Sequence, residues 1–371
     1  MTTALAFAMA GAPARAYGDF FSRLRWRRAV LPAFEREVTT SAPADAAFTG
    51  ADLWIVVLEL AALPVGSWHG RAPERGRAAV PVLVSSWNAD QTASQTIREL
   101  ESSGGCAGEA GSCPPVLLFR AADFRPSPGE SAAQLLARVE SSASTLSDLF
   151  AFAPGDPSSA ERPELSSRIP SSARRLLDAG CGSGATSAAI RARIPGLAVT
   201  GLEIDPTAAK RAQARIGRVL VGDAGELLVS LAAAGERFDA FLFGDVLEHT
   251  ADPVAVLAAA RHAATPGATL VASVPNVAHL SVVRDLLVGR FDPAPAGLED
   301  AGHLRWFTRD FLTQCLEEAG WAVDRIEGSE GAAPPDAEAF RRFFSGWPAA
   351  EADSALRSLG VYQWIAVARA A

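Results

Sequence analysis

"RRLLDAGCGSGATSAAI", residues 174–190, passes from an apolar stretch into a cluster of glycines and then into small residues with helical character. The stretch ends in Leu176, Leu177 and Asp178, and a helix starts near residue 184. Gly180, Gly182 and Ala185 satisfy G-x-G-x-x-A, the dinucleotide fingerprint, while Gly180, Gly182 and Gly184 equally read G-x-G-x-G. Glycine at such a turn lets backbone approach a ligand closely where a strand meets a helix N-terminus. The glycines place a ligand without naming it.

Working outward, the downstream chain alternates apolar runs with helical patterns. Strands are predicted at 175–179, 198–203, 218–222, 238–243, 268–274, 321–327 and 361–368, with helices starting near 184, 206, 224, 252 and 307. Repeated βα units imply an α/β fold, a doubly wound, mostly parallel, seven-stranded Rossmann-like sheet over residues 161–371. The closing run "YQWIAVARA" is expected to be its antiparallel edge strand. A Pro- and Ser-rich linker at 152–172 separates this region from an N-terminal α/β extension, residues 1–160. There "ADLWIVVLEL", "AAVPVLVSSW" and "PVLLF" read as strands, and "ASQTIRELESS" and "SAAQLLARVESSASTLSDLF" as helices. Substrate recognition or oligomerisation, including a homodimer, is the role expected of it.

Composition narrows the function. A net charge of −8 and a pI near 5.3 disfavour nucleic-acid partners, which require a basic face. No apolar run reaches membrane-spanning length. The four cysteines include no C-x-x-C pair and suit a reducing compartment. The N-terminal "MTTALAFAMAGAPARA" has the small-residue ending of a signal peptide but lacks its basic start. A cytoplasmic enzyme acting on a small molecule is the expectation.

Four features then discriminate between ligands. Asp178 ends the first strand of the sheet, where a carboxylate suits the ammonium of an amino-acid-like ligand. Glu203 ends the second, at the spacing where an acid accepts from ribose hydroxyls. Asp223 ends the third and can accept from an adenine amine, with the Ala224 N–H facing the ring. "FDAFLFGDVLEHTADP" places Asp245, Glu248 and His249 just past the fourth. Singly, Asp205, Asp223 and Asp252 also read as helix caps. Together and in this order they point to S-adenosylmethionine (SAM) rather than a nicotinamide cofactor, so an NAD-dependent oxidoreductase is the rival reading.

Over roughly residues 170–371 the chain resembles the class I SAM-dependent methyltransferases. It is most similar to the bacterial small-molecule group carrying a G-L-x-D-x-x-H-L-R-x-F-T signature, here "GLEDAGHLRWFT", Gly297 to Thr308, preceded by "GRF" at 289–291. The resemblance implies that Asp178, Gly180, Gly182 and Gly184 surround the methionine and ribose of SAM. It further implies that Glu203 holds the ribose hydroxyls, Ile204 flanks adenine and Asp223 binds its amine, with Asp245 also at the cofactor. Glu203 stands where Asp is commoner.

The sulfonium of SAM is already activated, so the protein must align the reactants, exclude water and, for a hydroxyl acceptor, take a proton. His249 and His303 are the candidate bases, whereas His279 in "PNVAHL" reads as a helix start. Asp245, Glu248 and His249 also have a D-x-x-E-H spacing similar to the E-x-x-E-H cluster of quinone-biosynthesis O-methyltransferases, which gives a secondary reading with Mg²⁺. There is neither an N-P-P-[YF] motif nor a Pro-Cys pair, as nucleic-acid methyltransferases carry. O-Methylation of a natural-product, quinone-like or sugar hydroxyl is expected, with a carrier-bound or protein substrate as the alternative. Segment 276–304 is expected to form the lid over it, with Phe291 and Trp306.

Overall fold

The computed structural model describes residues 160–294, 296–329 and 337–370, together with 3–9, 34–39, 53–57, 63–65, 73–84 and 116–152, and six single residues (Val30, Ala44, Phe48, Ala51, Trp68, Gln95). The chain divides into two compact units. The first comprises Met1–Gly155 and Asp292–Gly302, the second Asp156–Phe291 and His303–Ala371.

The first unit carries strands β1 (Thr3–Met9), β2 (Phe34–Thr39), β3 (Leu53–Val57), β4 (Leu63–Val65), β5 (Ala78–Val84), β6 (Val116–Arg120) and β7 (Ala143–Phe152), with helix α1 (Ala132–Ser141). The strands form a mixed sheet of order β2-β1-β3-β6-β5-β7-β4. The segment resembling a signal peptide supplies β1, which pairs in parallel with both β2 and β3. The predicted helix over 131–150 is corrected: α1 stops at Ser141 and the chain turns into β7, which pairs with β5 and β4. Helix-poor "SSASTLS" explains the stop, because Ser and Thr compete for backbone partners in a helix. Ser131 and Gln134 form a capping box at the start of α1. The predicted helix at 93–103 lies, apart from Gln95, outside the described residues.

The second unit begins with the short helix α2 (Pro163–Ser166). It continues through β8 (Arg175–Ala179), α3 (Ala185–Arg193), β9 (Ala198–Glu203), α4 (Pro206–Ile216), β10 (Arg218–Val221), α5 (Ala224–Ala233), β11 (Phe238–Gly244), α6 (Pro253–His262) and β12 (Ala264–Pro275). It closes with α7 (Leu280–Leu287), α8 (Arg309–Glu318), β13 (Trp321–Gly328), α9 (Ala337–Phe343), α10 (Ala349–Leu359) and β14 (Gln363–Ala370). The sheet order is β10-β9-β8-β11-β12-β14-β13, parallel except for β14. β14 is antiparallel as expected but is no edge strand, because it sits between β12 and β13. Its run "WIAVA" is buried on both faces, while β13 alternates buried and exposed residues as an edge permits.

Period-two alternation divides the core of this unit. Leu177, Phe241, Phe243, Leu270 and Trp364 face one layer with Leu257, Leu312 and Trp321, while Leu176, Leu242, Val271 and Ile365 face the other with Ile190 and Ile216. Asp205, Asp223, Asp252 and Thr308 each accept from a first-turn amide and so fix where helices leave the carboxyl edge of the sheet. The stretch read as a linker is corrected in its second half: Leu165 and Ile169 are buried in this unit's core.

Candidate active site

The glycine turn between β8 and α3 is built for close backbone approach. Gly180, Gly182 and Gly184 have φ of 66°, 54° and 77°, a region L side chains avoid. A Cβ on Gly184 would lie 3.1 Å from the Ala212 Cα, so that glycine also lets α3 pack on α4. Arg215 anchors the turn from α4, donating to the Ser183 carbonyl at 3.0 Å and hydroxyl at 2.6 Å.

Two carboxylates flank it. Asp178 is buried and accepts a 2.7 Å hydrogen bond from the Ser187 hydroxyl. Burial pushes its pKa up to about 7, opposed by the Ser187 bond and aided by the negative charge of Glu203. Glu203 accepts from the Gly182 N–H at 2.8 Å and the Asp205 N–H at 2.9 Å, one on each oxygen. The second lone pair of each oxygen remains for further donors. Ile204, beside it, is 64% exposed. Asp223 is exposed at the N-cap of α5, accepting from the Glu226 N–H at 3.0 Å, and Ala224 is the first residue of that helix. The ordered row Asp178, Glu203, Asp223 along β8, β9 and β10 therefore exists in the structure.

Past β11 the geometry changes. Asp245 is a non-glycine residue at φ 55°. Its Oδ1 accepts from the Ser273 hydroxyl at 2.6 Å, and its Oδ2 from Arg162 at 2.8 Å and Gln363 at 2.9 Å. Sequence reasoning missed Arg162 and Gln363. Their separations from Asp245 exceed any local pattern, and only the buried Leu165 in "RPEL" hints that the segment belongs to the core.

Glu248, His249 and His303 converge instead. One ligand atom from each lies within 4.8 Å of the others, and the two imidazole centroids are 4.9 Å apart. The Glu248 carbonyl makes this possible, accepting from the Leu304 N–H at 2.7 Å and the Arg305 N–H at 3.0 Å. Arg305 also donates to the Ala251 carbonyl. The His-Leu-Arg turn is thus fastened to the Leu-Glu-His turn. Trp306 packs edge-on against both His303 and Phe291. Of the secondary set Asp245, Glu248 and His249, the last two lie together with His303, whereas the Asp245 carboxylate is engaged by Ser273, Arg162 and Gln363. Two imidazoles and one carboxylate suit a transition metal better than Mg²⁺. His279 caps α7, as expected, through the Ser281 N–H.

A methyltransferase-domain family matches residues 143–326. Residues 143–326 are thus similar to methyltransferase domains. The match favours SAM over a nicotinamide as the cofactor. Among curated relatives, a ubiquinone biosynthesis O-methyltransferase of Cereibacter sphaeroides is 39% identical over 169 residues, covering 44% of this chain and 66% of that protein. One of Methylobacterium nodulans is 35% identical over 162 residues, covering 42% and 62%. The chain thus spans somewhat less than two thirds of the length of these methyltransferases. A solved SAM-dependent methyltransferase from Archaeoglobus fulgidus is 20% identical, with a TM-score of 0.39, covering 54% of this chain and 87% of that one. Among the described residues no helix is long and apolar enough to cross a membrane.

Proposed function

We propose that the protein methylates a hydroxyl of a small, quinone-like phenol, using SAM bound on the glycine turn. The observation that carries the hydroxyl chemistry is the His249–His303 pair at the carboxyl end of β11. The names of the curated relatives support the phenolic class.

The residues present fit the donor. Asp178 is a buried carboxyl whose pKa burial raises, and an ammonium beside it would favour the carboxylate. Glu203 keeps acceptor capacity for ribose hydroxyls, exposed Ile204 offers an apolar face to adenine, and Asp223 with the Ala224 N–H offers an acceptor and a donor to its edge. Asp245, its oxygens already engaged, holds the turn rather than the ligand. When bound, SAM supplies a methyl group on positively charged sulfur. An acceptor oxygen would take that methyl as the carbon–sulfur bond breaks and S-adenosylhomocysteine leaves, with His249 or His303 placed to accept the hydroxyl proton. Phe291 and Trp306 shield the reacting atoms from water. The first unit, in this reading, recognises the acceptor.

Turnover of isotopically labelled SAM with a panel of catechols, read by mass spectrometry of the product, tests the proposal. Labelled methyl on a phenolic oxygen is expected. Labelling confined to nitrogen, carbon or sulfur acceptors would overturn it.

A further inference from the structure

His303 stands on a turn whose next residues, Leu304, Arg305 and Trp306, are all exposed, while Phe307 behind them is fully buried. Burial therefore fixes the far end of this turn, where the Phe307 carbonyl accepts from the Val277 N–H at 3.0 Å. At the histidine end the main chain is tied by the Leu304 and Arg305 amides, and both converge on one oxygen, the Glu248 carbonyl. Two donors fill the lone pairs of that oxygen, and a turn hung from a single atom can still pivot about it. Trp306 packs edge-on against His303 with centroids 5.5 Å apart, a contact with little directional preference of its own.

A second point of attachment removes the pivot, and the Arg305 side chain supplies it. Its guanidinium donates to the Ala251 carbonyl and, at 2.8 Å, to the carbonyl of Leu304 in its own turn. Ala251 lies two residues past His249 and directly before Asp252, the N-cap of α6, so the anchor is a point that a helix start already holds. Both acceptors are neutral carbonyls. The residue is used here for its planar fork, whose donors lie at fixed angles, and the flexible ammonium of lysine has no such fork. Arg305 thus joins the turn bearing His303 to the far side of the turn bearing His249.

We propose that Arg305 is a positioning residue, whose guanidinium holds the His303 imidazole in register with His249 for proton acceptance from the methyl acceptor. The inference rests on the methyl-transfer reading for the reaction that the register serves. Arg305 touches neither cofactor nor acceptor in this role. Its loss acts on rate, since a reacting group misplaced by about 1 Å can cost about a hundredfold.

Two readouts on the full-length protein test this. The first needs no turnover: histidine-labelled protein is examined by NMR for a nuclear Overhauser effect between the His249 and His303 ring protons. Five histidines keep the spectrum simple, and His249→Ala and His303→Ala assign the two signals. The cross-peak is expected in the wild type, whose ring centroids are 4.9 Å apart, severalfold weaker in Arg305→Ala, and intermediate in Arg305→Lys. The second readout is SAM turnover with the catechol panel. Arg305→Ala should lower kcat about tenfold to a hundredfold, with the KM for SAM and the affinity for S-adenosylhomocysteine near wild type, and Arg305→Lys should recover part of the loss. A cross-peak unchanged in Arg305→Ala, or a kcat within twofold of wild type, overturns the proposal. Loss of S-adenosylhomocysteine affinity in step with kcat overturns it as well, by making Arg305 a general prop of the fold. Absence of catechol turnover in the wild type falls on the methyl-transfer reading instead, and the ring-to-ring cross-peak still decides whether Arg305 sets the register.

Discussion

Glu203 closes β9 and Asp245 follows β11, both at the carboxyl edge of one sheet, and they are held by different means. Backbone amides from Gly182 and Asp205 grip Glu203, one per oxygen, leaving each oxygen a further lone pair. Three side chains, Ser273, Arg162 and Gln363, occupy Asp245. The first carboxylate keeps acceptor capacity; the second is engaged in holding a turn in a left-handed conformation. On the proposed reading, the sheet carries a cofactor half built from strand ends and a reaction half built from turns clamped across long stretches of chain.

Breaking the reaction half should change rate and spare affinity. Replacing His249 or His303 with Ala should lower kcat by about 10²–10⁴-fold for whichever imidazole takes the proton, with S-adenosylhomocysteine affinity near wild type by calorimetry. A chelator arm sharpens this. Activity lost to chelation and restored by a transition metal would make the histidines ligands together with Glu248, and near-normal turnover in both variants would make them scaffolding.

Breaking the cofactor half should do the reverse. Glu203→Ala removes charge-assisted hydrogen bonds worth about 1.5–3 kcal/mol, so S-adenosylhomocysteine affinity should fall by one to two orders of magnitude. With saturating SAM, kcat should stay within a few-fold of wild type. An unchanged dissociation constant would remove Glu203 from the cofactor site.

The smallest effect concerns pH. Asp178 has its folded-state pKa raised to about 7 from an ordinary 3.8. The unfolded chain ionises first, so the stability this group contributes is complete below pH 4 and is lost as pH rises towards 7, with no further change above. Binding of a cationic ammonium favours the carboxylate, so SAM affinity should move oppositely, rising about tenfold between pH 6 and pH 8. Calorimetry and thermal melts across that range check both slopes, and Asp178→Asn should flatten them.

The two halves also differed in what could be read from the amino-acid order. Apolar runs ending in Asp178, Glu203 and Asp223, each followed by a cap or a glycine, mark β8 to β10 locally, and "HTADP" does the same for the start of α6. The reaction half depends on pairs far apart in the chain. His249 and His303 both stood out as chemical residues, but only the hydrogen bonds of Leu304 and Arg305 to Glu248 show that they meet. The ring of β14 between β12 and β13 was equally non-local, because an apolar strand buried on both faces reads like any other strand of a sheet. Within 131–150, helical spacing ran on through serines that the structure uses to end α1 and begin β7.

The clamp on Asp245 bears on how this protein can be cut. Arg162 belongs to the first turn of the second unit and Gln363 to its last strand, and they are hydrogen-bonded to each other at 2.8 Å while both reach Asp245. Entry and exit of the polypeptide are thus stapled at one oxygen. A fragment trimmed at the apparent linker end, near residue 170, would discard the guanidinium and leave a left-handed aspartate, a conformation costing about 1–3 kcal/mol, without the cation beside it. A fragment beginning at residue 156 keeps the staple, so domain surgery should be planned from Arg162 outward, not from the last proline.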